Sequence, residues 1–332
     1  MQINLFLAIL AVATAVLLCA RTVKGQAAEN RIALAGTFGG ALTNKARIKF
    51  WSGEGSMTEE SMDMSGTKRQ YYLYKPPGAR QGMPVVFALH GGGGTARGMD
   101  RLCGGITSTA DRYGFAVVFP QGLKHHWNDG RDANARDVDD VAFISNVTDR
   151  LIANGTADRK RIYATGISNG GFFSQYLASK LSDRFAAVAS VAASLAAEAT
   201  ENKSEQPVAI AFFLGTKDPI VPFQGGTIGF KSLSVDRGKA LSANQAISFW
   251  LANNHTAAGS ITEKVLDDGK MSVSKTDYGE PGSRSEVVFY QINGGGHTWP
   301  GGLQYLPPTV IGRVCPLNAN DLIFDFFSHH SL

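Results

Sequence analysis

Short apolar runs alternate along the chain with segments in which apolar residues recur at helical spacing. A strand is predicted wherever such a run is bounded by polar or glycine-rich sequence. The predicted strands cover residues 68–75, 85–89, 115–119, 161–165, 186–191, 208–215 and 284–292. Several of them are apolar without alternation, which is typical of strands that are buried on both faces of a parallel sheet.

Helices are predicted between these strands, because apolar residues there are spaced three or four positions apart. The predicted helices cover residues 97–113, 137–154, 171–182 and 242–252, and a last helix is capped by Asn318 or Asn320 and runs to about 329. Strands that alternate with helices require right-handed crossovers. The predicted fold is therefore α/β, with a mostly parallel central sheet and helices on both faces.

The N-terminal residues have a different composition from the rest. Residues 1–25 contain a long apolar stretch followed by small and polar residues, which predicts a secretory signal peptide cleaved near Gly25 or Ala27. Its first residues lack Lys and Arg, so an uncleaved membrane anchor is the alternative. We expect a secreted or periplasmic protein, with residues 26–65 as a loosely attached arm and residues 66–332 as one catalytic domain.

Composition excludes some classes of protein. The 332 residues are 44% hydrophobic and 18% charged, which is an ordinary globular balance. The net charge is +4, and no basic run is long enough to indicate a nucleic-acid partner. No metal-binding pattern and no dinucleotide or phosphate-loop motif is present, so no metal and no cofactor is predicted.

The strongest motif is Gly166-Ile167-Ser168-Asn169-Gly170, which fits G-x-S-x-G between a predicted strand and a predicted helix. That context is required for a nucleophile elbow, in which a strained turn pushes the serine hydroxyl out over the sheet edge. Larger residues on either side would crowd the turn, which explains the flanking glycines. Ser168 is therefore the candidate nucleophile.

A serine nucleophile needs a histidine base and a carboxylate that orients the base. His297 follows both a predicted strand and a glycine-rich loop, and Asp218 directly follows the strand that ends near 215. Their order after Ser168 is serine, acid, histidine, as in hydrolases that use this elbow. As an alternative to these catalytic roles, His297 is a surface loop histidine and Asp218 is a turn aspartate before Pro219.

Backbone N–H groups are also predicted to bind the oxyanion of the reaction. The candidates are Asn169, which follows the nucleophile, and Gly92 and Gly93 in the glycine loop after the strand 85–89. Trp127 and Trp299 lie in loops that are expected near the site. They are candidates for substrate binding through their aromatic faces, and simple loop packing is the alternative.

These residues belong to longer motifs, which occur in a fixed order from about Lys68 to the C-terminal helix. The motifs are Leu89-His90-Gly91-Gly92-Gly93-Gly94, Trp127-Asn128-Asp129-Gly130, Asp137-Val138-Asp139-Asp140-Val141, Gly166-Ile167-Ser168-Asn169-Gly170-Gly171 and Gly295-Gly296-His297-Thr298-Trp299-Pro300-Gly301. The chain resembles the secreted polyhydroxybutyrate depolymerase and feruloyl esterase-like family of α/β-hydrolases. The resemblance does not cover residues 26–65.

The resemblance implies an α/β-hydrolase fold and hydrolysis of carboxylic esters through an acyl-enzyme on Ser168, with Asp218 and His297 completing the triad. The expected substrates are polyhydroxybutyrate-type oligoesters or feruloyl and acetyl esters of plant polysaccharide. No stable membrane association is expected once the signal peptide is removed. A serine peptidase of the same fold and a non-catalytic binding protein on a hydrolase scaffold are the alternatives.

The resemblance also bears on the cysteines. Signal cleavage removes Cys19 and leaves Cys103 and Cys315. In the fold that the sequence resembles, the helix containing Cys103 and the helix after Cys315 cover the same face of the sheet. A disulfide between the two is therefore expected in an exported protein, and two buried thiols are the alternative.

Overall fold

A ten-stranded sheet organises the chain in a computed structural model that describes residues 51–134, 138–229, 237–257 and 259–332. The strands are β1 (Ser56–Met64), β2 (Thr67–Lys75), β3 (Met83–Leu89), β4 (Ala116–Pro120), β5 (Ala157–Ile167), β6 (Ala187–Val191), β7 (Ala209–Gly215), β10 (Ser260–Asp267), β11 (Ser272–Tyr278) and β12 (Val287–Asn293). Their order across the sheet is β1-β2-β4-β3-β5-β6-β7-β12-β11-β10. Gly226–Thr227 and Lys239–Ala240 form β8 and β9, a separate two-stranded pair.

The centre of the sheet is parallel. Strands β4, β3, β5, β6, β7 and β12 run in one direction, and antiparallel strands are added at both edges. Every residue of β3, β4, β6 and β7 is buried, in agreement with their uninterrupted apolar sequence. Because the carboxyl ends of the parallel strands lie side by side, the loops after β5, β7 and β12 can contribute to one site.

Helices cover both faces of the sheet. They are α1 (Ala96–Leu102), α2 (Ile106–Tyr113), α3 (Asp140–Ala153), α4 (Asn169–Lys180), α5 (Ala243–Asn253), α6 (Pro308–Ile311) and α7 (Ala319–Ser328). Neighbouring residues of β3 divide between the two cores: Val86 packs with residues of α1, α2 and α7, and Val85 packs with residues of α3, α4 and α5. This arrangement confirms the predicted α/β fold with helices on both faces.

The predicted helix 97–113 is in fact two helices. The helix is interrupted at Gly104 and Gly105, which have φ values of 71° and 98°. These left-handed conformations are favourable for glycine and interrupt an α-helix. The apolar spacing continues through the break, which is why the sequence pattern predicted one helix.

Part of the predicted N-terminal arm belongs to the sheet. Residues 56–64 form β1, which pairs along its length with β2, in contrast with the expected loose attachment. The sequence of β1 alternates weakly because an edge strand buries little of its surface. The predicted signal peptide, its cleavage site and residues 26–50 lie outside the described residues.

The predicted disulfide is absent from the structure. Cys103 and Cys315 are both free thiols, and both are buried in the apolar cluster that contains α1, α2 and α7. Burial raises the pKa of each thiol, so both are held in the neutral form. They pack as small hydrophobic residues. Within the described ranges, no helix has the length and hydrophobicity that a membrane span requires.

Candidate active site

Ser168 lies on a sharp turn between β5 and α4. Its φ and ψ angles are 57° and −123°, a strained conformation for a residue with a side chain. A Cβ atom on Gly166 would lie 2.5 Å from the carbonyl carbon of Gly170, and a Cβ on Gly170 would lie 2.3 Å from the Leu89 oxygen. The turn therefore closes only when both flanking positions are glycine. Ser168 is partly exposed above the carboxyl end of β5.

Asp218 and His297 form a buried pair at the same edge of the sheet. His297 Nδ1 lies 2.8 Å from Asp218 Oδ2, and both side chains are almost completely buried. The other carboxylate oxygen of Asp218 accepts hydrogen bonds from the N–H groups of Ile220 and Val221, at 2.8 and 2.9 Å. A carboxylate facing Nδ1 places the proton on that nitrogen and leaves Nε2 as the basic atom of the ring.

Hydrogen bonds to the loop that follows His297 hold its backbone in place. The His297 N–H donates to the carbonyl oxygen of Ile311 at 2.6 Å, and the Tyr305 hydroxyl donates to the His297 carbonyl oxygen at 3.0 Å. Burial raises the pKa of Tyr305, so its hydroxyl keeps its proton for this bond. Tyr305 was not identified from the sequence, since a tyrosine in a loop carries no distinctive pattern.

The structure joins two of the three proposed triad members directly. Ser168 Oγ has no hydrogen-bond partner among the described residues, so the serine is not bonded to His297 here. Catalytic hydrogen bonds often form only when substrate is present. The three residues follow β5, β7 and β12, whose carboxyl ends lie on one edge of the sheet.

The oxyanion-binding prediction needs one correction. The Gly93 N–H donates to the carbonyl oxygen of His125 at 2.8 Å, so it is not available to a substrate. The N–H groups of Gly92 and Asn169 have no backbone acceptor in the described part of the chain. Asn169 is the first residue of α4, where N–H groups lack an intrahelical partner and the helix dipole favours negative charge.

His90 supports the glycine loop from beneath. Its Nε2 accepts a hydrogen bond from the N–H of Gly122 at 3.0 Å, and its Nδ1 therefore donates to the carbonyl oxygen of Gly91 at 2.8 Å. Burial lowers the pKa of His90 to about 4, so the ring is neutral at physiological pH. The role of His90 is thus to hold the backbone of the loop.

Trp127 and Trp299 do not line a substrate surface, which corrects the sequence-based prediction. Both side chains are 0% exposed. The Trp127 indole N–H donates to the His90 carbonyl oxygen at 2.9 Å, and its ring stacks on Phe173. The Trp299 indole N–H donates to Asn320 Oδ1 at 2.9 Å. Both residues are core residues beneath the loops of the site, because their polar atoms are fully satisfied inside the protein.

Two further residues near the elbow were missed from the sequence. Asp129 and Arg131 form a buried ion pair, with Arg131 Nη2 2.5 Å from Asp129 Oδ2, and Asn169 Nδ2 donates to the same oxygen at 2.6 Å. Asp129 was visible only as part of a tryptophan-containing motif. Among the described residues, no cluster of His, Cys, Asp and Glu side chains is arranged to hold a metal ion.

Comparison with known proteins identifies the family. The model of the family described as esterase PHB depolymerase matches residues 69–212. The putative esterase NocK of Nocardia uniformis subsp. tsuyamanensis is 30% identical over 288 residues, which is 82% of this chain and 83% of that protein. The chain belongs to the esterase PHB depolymerase family. As a member of this esterase family, it is a carboxylic ester hydrolase.

Another relative and a solved structure extend the comparison. Feruloyl esterase B of Piromyces equi is 39% identical over 120 residues, which is 34% of this chain and 22% of that protein. The acetyl xylan esterase from Aspergillus awamori is 16% identical, with a TM-score of 0.57, over 83% of this chain and 100% of that chain. The structural similarity supports the α/β-hydrolase fold of the esterase PHB depolymerase family.

Proposed function

We propose that this esterase works through an acyl-enzyme on Ser168, with His297 as the general base and Asp218 as the residue that orients it. The proposal depends above all on one observation, the 2.8 Å contact of a buried carboxylate with Nδ1 of His297 at the sheet edge that also bears the Ser168 elbow. His297 Nε2 would take the proton of Ser168 Oγ as that oxygen attacks the ester carbonyl carbon.

The remaining steps follow from the same groups. The tetrahedral intermediate carries a negative oxygen, which would accept hydrogen bonds from the N–H groups of Gly92 and Asn169. His297 would then return the proton to the leaving alcohol, and the acyl group would remain on Ser168. Water, deprotonated by His297, would attack the acyl-enzyme, and His297 would pass that proton to Ser168 Oγ as the bond to the acyl group breaks and the carboxylic acid leaves.

The proposed substrates are polyhydroxybutyrate-type oligoesters or feruloyl and acetyl esters of plant polysaccharide. Support comes from the family and from the feruloyl and acetyl xylan esterases to which the chain is similar. The loop after His297 exposes Leu303 and Leu306, each 38% exposed, and this apolar surface suits an acyl chain or a phenolic ring. We also propose that the enzyme is exported, on the signal-peptide pattern of residues 1–25.

Labelling with a serine-directed phosphonate tests the mechanism. The wild-type enzyme should be modified at Ser168, and Ser168→Ala should lose both labelling and ester turnover. His297→Ala should lower kcat by several orders of magnitude, and Asp218→Asn by a smaller factor, about 10⁴ at most. Modification of a different serine, or full turnover by Ser168→Ala, would refute the proposal.

Substrate class is tested with a panel of hydroxybutyrate oligomers, feruloyl esters and acetylated xylan at equal ester concentration. We expect one class to have a kcat/KM at least about 10-fold above the others, since one apolar methylene is worth a factor of about 10 or more in a fitted pocket. Equal kcat/KM values on all three would contradict a site that is fitted to one of these ester classes.

A further inference from the structure

One loop makes hydrogen bonds both to the glycine loop that contains Gly92 and to Asn169, the two residues proposed to bind the oxyanion. This loop, residues 121–131, is called the clamp loop below. Its first half holds the glycine loop: the Gly122 N–H donates to His90, the His125 carbonyl oxygen accepts from Gly93 at 2.8 Å, and His125 Nδ1 lies 2.9 Å from the Gly94 carbonyl oxygen. The position of Gly92 is thus set by the clamp loop.

The second half of the clamp loop holds Asn169. The Trp127 N–H donates to Asn169 Oδ1 at 2.8 Å, and Asn169 Nδ2 donates to the Trp127 carbonyl oxygen at 3.1 Å. The second hydrogen of Nδ2 is directed to Asp129 Oδ2 at 2.6 Å. Asn169 is 4% exposed, so its side chain serves the loop and leaves only the backbone N–H for a substrate.

Asp129 is itself held rigidly. Arg131 Nε lies 3.1 and 3.0 Å from the two carboxylate oxygens, and Arg131 Nη2 lies 2.5 Å from Oδ2. The guanidinium group packs over the Phe172 ring at 4.4 Å and donates to the carbonyl oxygen of Arg237 at 2.9 Å. A buried carboxylate with these partners gives a strong, directional acceptor for Asn169 Nδ2.

We propose that Asp129 is a positioning residue for ester hydrolysis, because its bond to the Asn169 side chain fixes the Asn169 N–H relative to Gly92. This inference rests on the proposed acyl-enzyme mechanism and names the residue that sets its oxyanion-binding geometry. Such donors act only within about 2.7–3.1 Å of the oxyanion, so a small rotation of Asn169 removes one of them from the transition state. Substrate binding before the reaction depends on other contacts and is unaffected.

The test compares Asp129→Asn, Asn169→Ala and the double variant. Asn169→Ala keeps the backbone N–H and the Asp129–Arg131 pair, and removes the side-chain bonds to Asp129 and to the Trp127 backbone. Loss of one oxyanion donor costs about 10²–10³ in kcat, so a misplaced donor should cost about 10- to 100-fold. We expect each single variant to show this loss with KM within about 2-fold of wild type, and phosphonate labelling to slow by a similar factor.

The double variant separates a shared role from independent ones. If Asp129 acts through Asn169, the double variant should be no slower than the slower single variant. A matched control is Glu286→Gln, which removes another buried carboxylate, paired at 3.0 Å with His330 at the opposite edge of the sheet. The control should lose stability and keep its kcat.

Several results would overturn the inference. These are an unchanged kcat in either single variant, multiplied losses in the double variant, or an equal fall in kcat in Glu286→Gln. If Asp129→Asn does not fold, Asp129→Glu takes its place, because it keeps the charge opposite Arg131 and moves the oxygen that accepts from Asn169 Nδ2. Ser168→Ala tests the proposed acyl-enzyme mechanism separately. If this variant keeps its turnover, the mechanism is wrong and the inference about Asp129 is wrong with it. If Ser168→Ala is inactive and the clamp-loop variants keep their kcat, only the inference is wrong.

Discussion

Gly170 has no freedom to carry a side chain, although it lies in the first turn of a helix. An added methyl group would meet the carbonyl oxygens of Leu89 and His90 at 2.3 and 2.7 Å. Both contacts are with backbone, which cannot move aside by a change of rotamer. The close approach of α4 to the end of β3 therefore depends on this one residue.

We expect Gly170→Ala to lower the free energy of unfolding by about 1–3 kcal/mol and to lower kcat, because the elbow must shift to relieve the clash. Gly98→Ala is the control. Gly98 is exposed in α1, and a Cβ added there would meet only the side-chain oxygen of Thr95, at 3.1 Å, so Gly98→Ala should change the free energy of unfolding by less than about 1 kcal/mol. Urea denaturation and ester turnover of both variants check this prediction, and an active, stable Gly170→Ala would contradict it.

His90 makes the stability of the protein depend on pH. Burial lowers its pKa to about 4, whereas an exposed histidine has a pKa near 6.5. As the pH falls from 6.5 towards 4, the unfolded chain binds a proton that the folded protein does not. The stabilisation by neutral His90 is thus complete above pH 6.5 and declines in this window, by about 3 kcal/mol in total.

A comparison of wild type with His90→Gln isolates this contribution, since glutamine can also accept a hydrogen bond from Gly122. The difference in free energy of unfolding between the two proteins, measured by urea denaturation at several pH values, should shrink as the pH falls from 7 to 4.5. Parallel stability curves over that range would show that His90 does not titrate as described.

At the scale of elements, Asn320 joins three parts of the fold. It lies in the first turn of α7, its Oδ1 accepts from the Trp299 indole, and its Nδ2 donates to the Cys103 carbonyl oxygen at 2.8 Å. The loop after His297 is thus tied to α7 and to the end of α1. Trp299 contributes to the site through this attachment.

Trp299→Phe should therefore reduce stability and leave substrate binding intact. The change leaves Asn320 Oδ1 without its donor in a buried position, at a cost of about 1–3 kcal/mol. We expect a lower melting temperature with KM within about 2-fold of wild type. Leu303→Ala provides the contrast, because it removes a side chain of the same loop that is proposed to contact substrate: it should raise KM and change stability by less than about 1 kcal/mol. A raised KM with unchanged stability in Trp299→Phe would instead indicate contact with substrate.

At the scale of the whole molecule, the helices pack so closely on the sheet that both thiols are enclosed. Cys103 and Cys315 are each 1% exposed, and burial raises the pKa of both. A thiol that is neutral and enclosed reacts slowly with alkylating reagents, because the thiolate is the reactive form.

We expect an alkylating reagent to modify neither cysteine in the native protein and both cysteines in the protein denatured without reductant. Mass spectrometry of the peptides that contain Cys103 and Cys315 provides the measurement. A sample reduced before labelling is the control and should show the same extent of modification. Modification that requires prior reduction would mean that the two sulfurs are bonded.

The parallel centre of the sheet, the helices on its faces and the elbow were all predictable from the sequence. Their information is local: continuous apolar runs identify buried strands, and Gly166-Ile167-Ser168-Asn169-Gly170 identifies a turn that few other residues could form. The pairing of Asp218 with His297 was predicted from chain order and is present as a 2.8 Å contact. The antiparallel strands β1, β10 and β11 were missed, because a strand with much exposed surface carries little hydrophobic pattern.

Packing between distant segments settled the remaining features. Gly93 and Gly92 are equivalent in sequence, and only the contact of Gly93 with His125 shows that its N–H is occupied. Trp127 and Trp299 lie in loops of the site, and only their burial shows that they support it from below. Asp129 accepts a hydrogen bond from Asn169, which lies 40 positions further along the chain. A sequence pattern records which residues are neighbours along the chain, whereas a hydrogen bond depends on which groups meet in space.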